Sequence, residues 1–232
     1  MPAKIKPSSA KWGLNDPTSR IREAIVTRRF LPNERLIEED LVKLFDTNRS
    51  AIRLAIARLE QEGLLIREAN RGARVRLLSP AEAIEITEAR AVLESLIARH
   101  AAVKITPPQV AQLKAKLVQL RKIMKSRDLV RYASENMEFH RMIIDIADHS
   151  TAAKMLESLS AQSVVSQYRP FLEPGRVEQL LREHERLVAV LASKDPDAAE
   201  RAMRVHLDNS TAAIGALTKR PGADAGHFGS VC

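Results

Sequence analysis

The chain has 232 residues, of which 45% are hydrophobic and 28% are charged, and this balance is typical of a soluble globular protein. Its apolar stretches are shorter than the about 18 to 20 residues that a membrane span needs, and its first residues lack the apolar core of a signal peptide. The single cysteine, Cys232, excludes a disulfide framework within the chain and a cysteine-based zinc site. Eight glycines and 3% aromatic residues argue against a sheet-rich fold, so we expect a mainly helical, cytoplasmic protein with no membrane partner.

The positive charge is concentrated in the first third of the chain. Residues 1–78 contain 16 lysines and arginines against 10 acidic residues, whereas residues 79–232 contain 21 against 19. A basic small domain before a nearly neutral larger one is typical of a protein whose first part binds a polyanion such as nucleic acid. A solvated positive surface without a partner is the alternative.

Three helices are predicted before residue 63. Apolar spacing and capping residues place them over residues 17–29, 38–45 and 49–62. Leu41 and Leu44 are expected to face inward in the second helix. In the third helix, Arg49, Ser50 and Arg53 lie opposite the apolar stripe, so we expect them to be exposed.

A β-hairpin is predicted after the third helix. Gly63 ends that helix, and the apolar period then changes to two over Leu64–Ile66 and Ala73–Leu77, with a basic tip at Asn70–Gly72. Three helices followed by a hairpin are the elements of a winged helix-turn-helix, which we predict over residues 16–78. Its third helix would enter the major groove of DNA with its first residues nearest the base edges.

The rest of the chain is predicted to be helical. Capping residues and prolines separate six helices, over residues 79–104, 106–126, 127–149, 151–172, 176–193 and 196–217. Helices of this length with short connections form an antiparallel bundle, here a six-helix domain of residues 79–218. Residues 1–15 and 219–232 lack apolar periodicity and are expected to be disordered.

Four polar side chains lie on the apolar stripes of three bundle helices. Asn136 and His140 are four residues apart on one stripe, and His184 and His206 lie on two others. Each histidine alone is more often a core residue that is bonded to a carbonyl or a carboxylate. Together they favour a divalent metal ion, with Zn²⁺ as the first choice and Ni²⁺, Mn²⁺ or Fe²⁺ as alternatives.

An arginine on the inner face of the first bundle helix indicates an anionic ligand. Arg90 either forms an ordinary ion pair with Glu94, one turn away, or clamps a ligand carboxylate. The fourth bundle helix could add Gln162, Ser166 and Arg169 to the same pocket, although Pro170 leaves the direction of the last side chain open.

Segments along most of the chain match a known family in their order and spacing. In the first part they are Leu31–Leu36, Asn48–Arg53, Arg58–Leu64 and Asn70–Ala73. In the second part they are Glu88–Arg90, Leu93–Glu94, Asn136–His140, Glu183–His184 and His206–Leu207. The first set resembles the winged-helix domain of the GntR family of bacterial transcription regulators, and the second resembles the FCD effector domain of the FadR subfamily. The resemblance covers about residues 19–217.

The resemblance implies a homodimer that binds a palindromic double-stranded DNA operator and responds to a small carboxylate effector at a metal site in the bundle. By correspondence, the DNA contacts come from Asn48, Arg49, Ser50, Arg53, Arg71 and Gly72. The four metal-ligand positions are Asn136, His140, His184 and His206. The family usually has Asp at the first of these positions, so the site differs there from its relatives.

Two other interpretations are considered beside the regulator. A metal-dependent hydrolase with a nucleic-acid-binding module would need a general base at the metal, and Glu183 and Glu185, which flank His184, are rotated about 100° away from it on a helix. We therefore expect no enzyme activity. The other alternative is a regulator in which the metal is purely structural.

Overall fold

The computed structural model describes residues 16–27, 29–68, 72–163 and 175–218. The chain divides into two compact units between Leu77 and Leu78. The terminal segments 1–15 and 219–232, which the sequence predicts to be disordered, lie outside the described residues.

The first unit is a winged helix-turn-helix. Its elements are α1 (Pro17–Val26), β1 (Arg35–Leu36), α2 (Glu38–Phe45), α3 (Arg49–Gln61), β2 (Leu65–Glu68) and β3 (Gly72–Val75). The three predicted helices are confirmed, and α2 has the predicted bounds. Helix α1 ends three residues early, where the backbone and hydroxyl groups of Thr27 both donate to the carbonyl of Glu23. Asp16 caps its start by accepting from the backbone of Thr18.

The core of this unit corrects one detail of the sequence analysis. Leu41 and Phe45 are buried in α2, whereas Leu44 is 46% exposed, so the prediction for Leu44 was wrong. Residues four apart lie nearly above one another on a helix, and the pair that faces α3 is therefore 41 and 45. The Phe45 ring also contacts Phe30 edge-on and lies below the Arg20 guanidinium group.

The sheet has the order β1–β3–β2, and both pairings are antiparallel. The sequence analysis missed β1, because two residues are too short to show a period. Gly72 has a φ of +88°, and a Cβ at this position would lie 2.4 Å from the carbonyl oxygen of Leu36. Glycine is therefore needed at residue 72 for β1 and β3 to approach each other.

Over the described residues, the second unit consists of six helices, as predicted. They are α4 (Pro80–Lys104), α5 (Pro107–Ser126), α6 (Leu129–Ala147), α7 (Ser150–Ser163), α8 (Arg176–Ala192) and α9 (Pro196–Thr218). The hydroxyl of Ser79 caps α4, and the carboxylate of Asp195 accepts from the backbone of Ala198 at the start of α9. Residues 164–172, the predicted end of the fourth bundle helix, lie outside the described residues.

Helix α4 packs against α6, α7 and α9, and α5 packs against α6 and α8. The core between them is mostly aliphatic, with Tyr132 and Phe139 as its large aromatic side chains. Over the described ranges, the helices are too short or too polar for any of them to cross a bilayer. This core contains the polar side chains of the candidate site.

Candidate metal centre and nucleic-acid interface

Three histidines from three helices meet in the core of the second unit. His140 lies on α6, His184 on α8 and His206 on α9, and each is at most 5% exposed. One ring nitrogen of each lies within 4.8 Å of the corresponding atoms of the other two. The structure thus brings together three of the four side chains that the sequence analysis named as metal ligands.

Buried carboxylates orient two of these rings. The Nδ1 atoms of His140 and His206 lie 2.6 Å from Glu94 Oε2 and 2.9 Å from Glu183 Oε2. An ionised carboxylate only accepts hydrogen bonds, so each Nδ1 carries the proton and each Nε2 carries a lone pair in the neutral ring. The two Nε2 atoms face each other at 3.2 Å.

An arginine lies beside each of these two carboxylates. Glu94 contacts Arg90 at 2.7 Å, and Glu183 contacts Arg176 at 3.0 Å. Burial would raise the pKa of Glu94, but the charge of Arg90 and the contact with His140 outweigh it, and the pKa lies well below its usual value. The pKa of Glu183 is also lowered, because its contacts with His206 and then with Arg176 outweigh the effect of burial. Gln179 and Asn209 donate further hydrogen bonds to Glu183.

The third ring is held differently. Neither nitrogen of His184 has a hydrogen-bond partner in the described part of the chain, and its ring lies against Phe139 with the centroids 4.3 Å apart. Burial, and next the nearby His206, lower the pKa of His184 well below its usual value. Burial also lowers the pKa of His206, to about 4. Both rings are therefore neutral at pH 7 and can donate a lone pair.

The donor set fits a divalent metal ion. Two facing Nε2 lone pairs repel each other unless a cation lies between them. Two nitrogens that bind one Zn²⁺ at about 2.0 to 2.1 Å in a tetrahedral arrangement are about 3.3 Å apart, which is close to the 3.2 Å between the Nε2 atoms of His140 and His206. The buried Oδ1 of Asn136, on the same helix as His140, has no hydrogen-bond partner among the described residues. A bound ion would use lone pairs that these side chains leave unpaired, and its charge would attract an anionic ligand.

The groups that orient the imidazoles were not predicted from the sequence. Glu94 was expected only as a partner of Arg90, and Glu183 was set aside because it points away from the next residue, His184. Glu183 instead reaches across to His206 on α9. A signal was available, because an inward histidine that binds a metal through one nitrogen needs an acceptor for the other, and inward glutamates are few.

The residues proposed for effector binding are only partly described. Arg90 is 13% exposed and forms the ion pair with Glu94 that the sequence analysis gave as one of its two interpretations. The side chain of Gln162, and the whole of Ser166 and Arg169, lie outside the described residues. The structure therefore leaves the effector-binding role of all four as a prediction.

The start of α3 presents the side chains that were predicted to contact DNA. Arg49, Ser50 and Arg53 are exposed. The Asn48 side-chain oxygen accepts from the backbone of Ala51 at 2.8 Å, so this exposed residue caps α3. Arg71, which the sequence predicts at the tip of the hairpin, lies outside the described residues.

Both arginines of α3 form ion pairs that the sequence analysis did not foresee. Arg49 contacts Glu39, and Arg53 contacts Glu38 at 2.9 Å, in each case in the first turn of α2. These pairs join the two helices of the helix-turn-helix across its exposed face.

Two protein families match the two units of the chain. The family described as bacterial regulatory proteins, gntR family, matches residues 18–75, and the FCD domain family matches residues 85–209. The chain belongs to the GntR family of transcription regulators. This GntR regulator carries an FCD effector domain, and the resemblance noted in the sequence is confirmed.

Characterised relatives agree with this assignment. The HTH-type transcriptional repressor RspR of Escherichia coli is 30% identical over 194 residues, which cover 84% of this chain and 85% of the repressor. The Uxu operon transcriptional regulator of Escherichia coli is 28% identical over 228 residues, covering 87% and 86%. The relatives are transcription regulators, so this chain is a regulator and not the hydrolase that was considered as an alternative.

Solved structures show the same fold. The chain named McbR/YncC from Escherichia coli superimposes with a TM-score of 0.78 at 18% identity, covering 88% of this chain and 97% of that one. A GntR transcriptional regulator from Rhodococcus sp. RHA1 gives a TM-score of 0.69 at 19% identity, again covering 88% and 97%.

Proposed function

We propose that this GntR regulator binds a palindromic operator as a homodimer and that a small carboxylate, bound at a divalent metal ion in the FCD domain, changes its affinity for DNA. The observation that carries the proposal is the cluster of His140, His184 and His206, with two rings oriented by buried carboxylates and no acidic side chain among the three ligands. The metal we propose first is Zn²⁺, with Ni²⁺, Mn²⁺ and Fe²⁺ as alternatives.

The charge balance around the cluster supports an anionic effector. Each carboxylate that orients a ring is paired with an arginine, Glu94 with Arg90 and Glu183 with Arg176, so these four charges cancel. The amide of Asn136 is neutral. A divalent ion held by three neutral imidazoles would therefore keep its full charge in a medium of low dielectric constant, where it attracts an anion strongly. A carboxylate is an anion that binds such ions through oxygen, and we propose that it also contacts Arg90, whose partner Glu94 reaches the ring of His140.

The exposed start of α3 supports DNA binding. We propose that Arg49, Ser50 and Arg53 contact the major groove, that Asn48 adds a contact beside them, and that Arg71 and Gly72 bring the wing to the DNA backbone. GntR regulators act on chromosomal operators, so we place the protein in the bacterial cytoplasm.

An exposed aliphatic stripe on α4 supports a homodimer. Val92, Leu96 and Val103 are 56%, 36% and 62% exposed on one side of the helix. A second copy of the chain would bury this stripe, and paired winged helices would read the two halves of a palindrome. Light scattering should give twice the chain mass of 25.8 kDa. A monomer at micromolar concentration that stays monomeric on DNA would contradict the dimer.

The metal part of the proposal is tested by elemental analysis of the purified protein. We expect about one divalent ion per chain, and the double variant His184→Ala/His206→Ala should lose it. The matched variant His100→Ala removes a half-buried histidine outside the cluster and should keep it. Equal metal content in all three proteins would contradict the site.

The regulatory part is tested with DNA. Selection from random duplexes should enrich a palindrome, and the metal-loaded protein on that duplex is then titrated with small mono-, di- and hydroxycarboxylates. We expect at least one of them to change the affinity for the duplex, and the metal-free protein to lose the response.

A regulator with a purely structural metal is the second candidate. The observation in its favour is a candidate fourth donor, the buried and unpartnered Oδ1 of Asn136, since structural zinc ions are held by four protein ligands with no open position. In that case, removal of the metal would lower stability, and no carboxylate would alter either the DNA affinity or the melting temperature of the loaded protein.

A further inference from the structure

Two glutamates in the first turn of α2 contact the two arginines at the start of α3. Arg53 donates from Nε to Glu38 Oε2 at 2.9 Å, and Arg49 donates from Nη2 to Glu39 Oε1. All four side chains belong to the helix-turn-helix, where two positive side chains of the recognition helix would otherwise face DNA without any compensating charge.

The two contacts use different ends of the guanidinium group. Glu39 binds Arg49 through Nη2, which is one of the two nitrogens at the tip of the group. Glu38 binds Arg53 through Nε, at the base of the group, and neither Nη atom of Arg53 makes a hydrogen bond within the described residues. The tip is the fork that pairs with O6 and N7 of guanine in the major groove. Glu38 therefore restricts the guanidinium group and leaves its fork free.

The glutamates also contribute to the start of α2. This helix has no side-chain cap, and acidic side chains in the first turn interact favourably with the positive end of the helix dipole. Asp40, in the same turn, contributes in the same way. The helix dipole explains why acidic residues occur in the first turn of α2, but it does not require that Glu38 contact Nε of Arg53.

We infer that Glu38 is a positioning residue that determines DNA specificity by holding the guanidinium group of Arg53 for a bidentate contact with guanine. This inference rests on the proposed DNA binding. Non-specific binding depends on the positive charge that the protein presents to phosphates, and a carboxylate beside Arg53 reduces that charge. Base recognition depends on the fork, which Glu38 leaves free. Glu38 thus weakens non-specific binding and favours the operator. Glu39 occupies the tip of Arg49 and competes with all DNA equally.

The test compares Glu38→Gln with Glu39→Gln, because the two variants have the same change in charge at adjacent positions. Affinities are measured for the duplex that the wild-type protein selects and for a mixed-sequence duplex of the same length, at two salt concentrations. For Glu38→Gln we expect about threefold tighter binding to the mixed-sequence duplex. We also expect the specificity ratio, which is the affinity for the selected duplex divided by that for the mixed-sequence duplex, to fall about tenfold. For Glu39→Gln we expect both affinities to rise together and the ratio to stay constant.

Two further variants separate positioning from net charge. Glu60→Gln makes the same charge change at an exposed ion pair at the other end of α3, with Arg67, and should leave the ratio unchanged. In an Arg53→Ala background, Glu38→Gln should have no further effect on the ratio. If Glu38→Gln lowers the melting temperature of the winged unit, the test is repeated with Glu38→Asp, which keeps the charge and shortens the side chain. We expect Glu38→Asp to lower the specificity ratio as well.

The outcomes distinguish this inference from the function on which it rests. A ratio within twofold of wild type for both Glu38 variants, or an equal fall in Glu60→Gln, would overturn the positioning role while DNA binding stands. A wild-type protein that enriches no duplex sequence would overturn the proposed DNA binding, and this inference with it.

Discussion

The winged unit and the helical unit both contain arginine–glutamate pairs, but at different depths. The side chains of Arg53 and Glu38 are 65% and 28% exposed, whereas those of Arg176 and Glu183 are 5% and 11% exposed. An exposed pair contributes about 0 to 1 kcal/mol because water screens it, whereas removing one partner of a buried pair costs about 3 to 5 kcal/mol.

This difference in burial fits the role that is proposed for each unit. The exposed pairs of the winged unit lie where a second molecule can reach them, so Arg53 can contact it through the tip of its guanidinium group while Nε stays with Glu38. The buried pairs of the helical unit keep their partners and fix the imidazole rings of the candidate metal centre. The same two residue types therefore give an accessible surface in one unit and an enclosed core in the other.

The largest expected effect comes from breaking a buried pair. Glu94 is 1% exposed and contacts both Arg90 and His140, so Glu94→Gln leaves Arg90, whose side chain is only 13% exposed, without its carboxylate. We expect the free energy of unfolding of the helical unit to fall by about 3 to 5 kcal/mol. Urea denaturation followed by circular dichroism measures it. The matched variant Glu39→Gln, in an exposed pair, should cost less than about 1 kcal/mol. Equal losses of unfolding free energy in the two variants would show that burial does not distinguish the ion pairs of the two units.

Metal removal should also affect one unit only. A bound ion stabilises the folded state by about 2.7 kcal/mol when its concentration is a hundred times its Kd, so a strong chelator should lower the melting temperature of the helical unit and leave the winged unit unchanged. His184→Ala should abolish this sensitivity, and His100→Ala should keep it. Identical melting curves with and without chelator, on protein that contains metal beforehand, would contradict the site.

Removing an exposed arginine should change binding without changing stability. Arg53→Ala is expected to cost about 1 to 3 kcal/mol of operator binding, because one base contact is lost, while the melting temperature of the helical unit stays the same. Fluorescence anisotropy with the selected duplex measures the loss. Arg201→Ala removes an exposed arginine of α9 and serves as the control. Wild-type affinity for Arg53→Ala would exclude Arg53 from the DNA interface.

The smallest expected effect tests the charge of the metal centre. Asn136→Asp adds a carboxylate to a ligand set that is otherwise neutral. We expect metal binding to tighten and binding of the anionic effector to weaken, each on the order of tenfold or about 1.4 kcal/mol, because the added charge attracts the cation and repels the anion. Titration calorimetry on both proteins measures the two changes. Changes of the same sign, or none, would refute the charge argument.

The sequence predicted the features that depend on neighbouring residues. Helix α2 has the predicted bounds and ends where Asp46 turns the chain with a φ of +47°, and α4 begins at the cap that Ser79 forms, because turns and caps act within a few residues. The inward direction of His140, His184 and His206 was predictable as well, since helical periodicity fixes which face a side chain occupies.

The tertiary structure decided the contacts between residues that are distant in sequence. Strand β1 exists because Leu36 pairs with Ala73, and Gly72 makes room for it. Glu94 lies 46 residues before His140, and Glu183 lies 23 before His206, so no local pattern links them. The inward faces were therefore set by the sequence, because periodicity is a property of one helix. The partners across those faces were set by the packing, because the rotation and offset of two helices depend on every side chain between them.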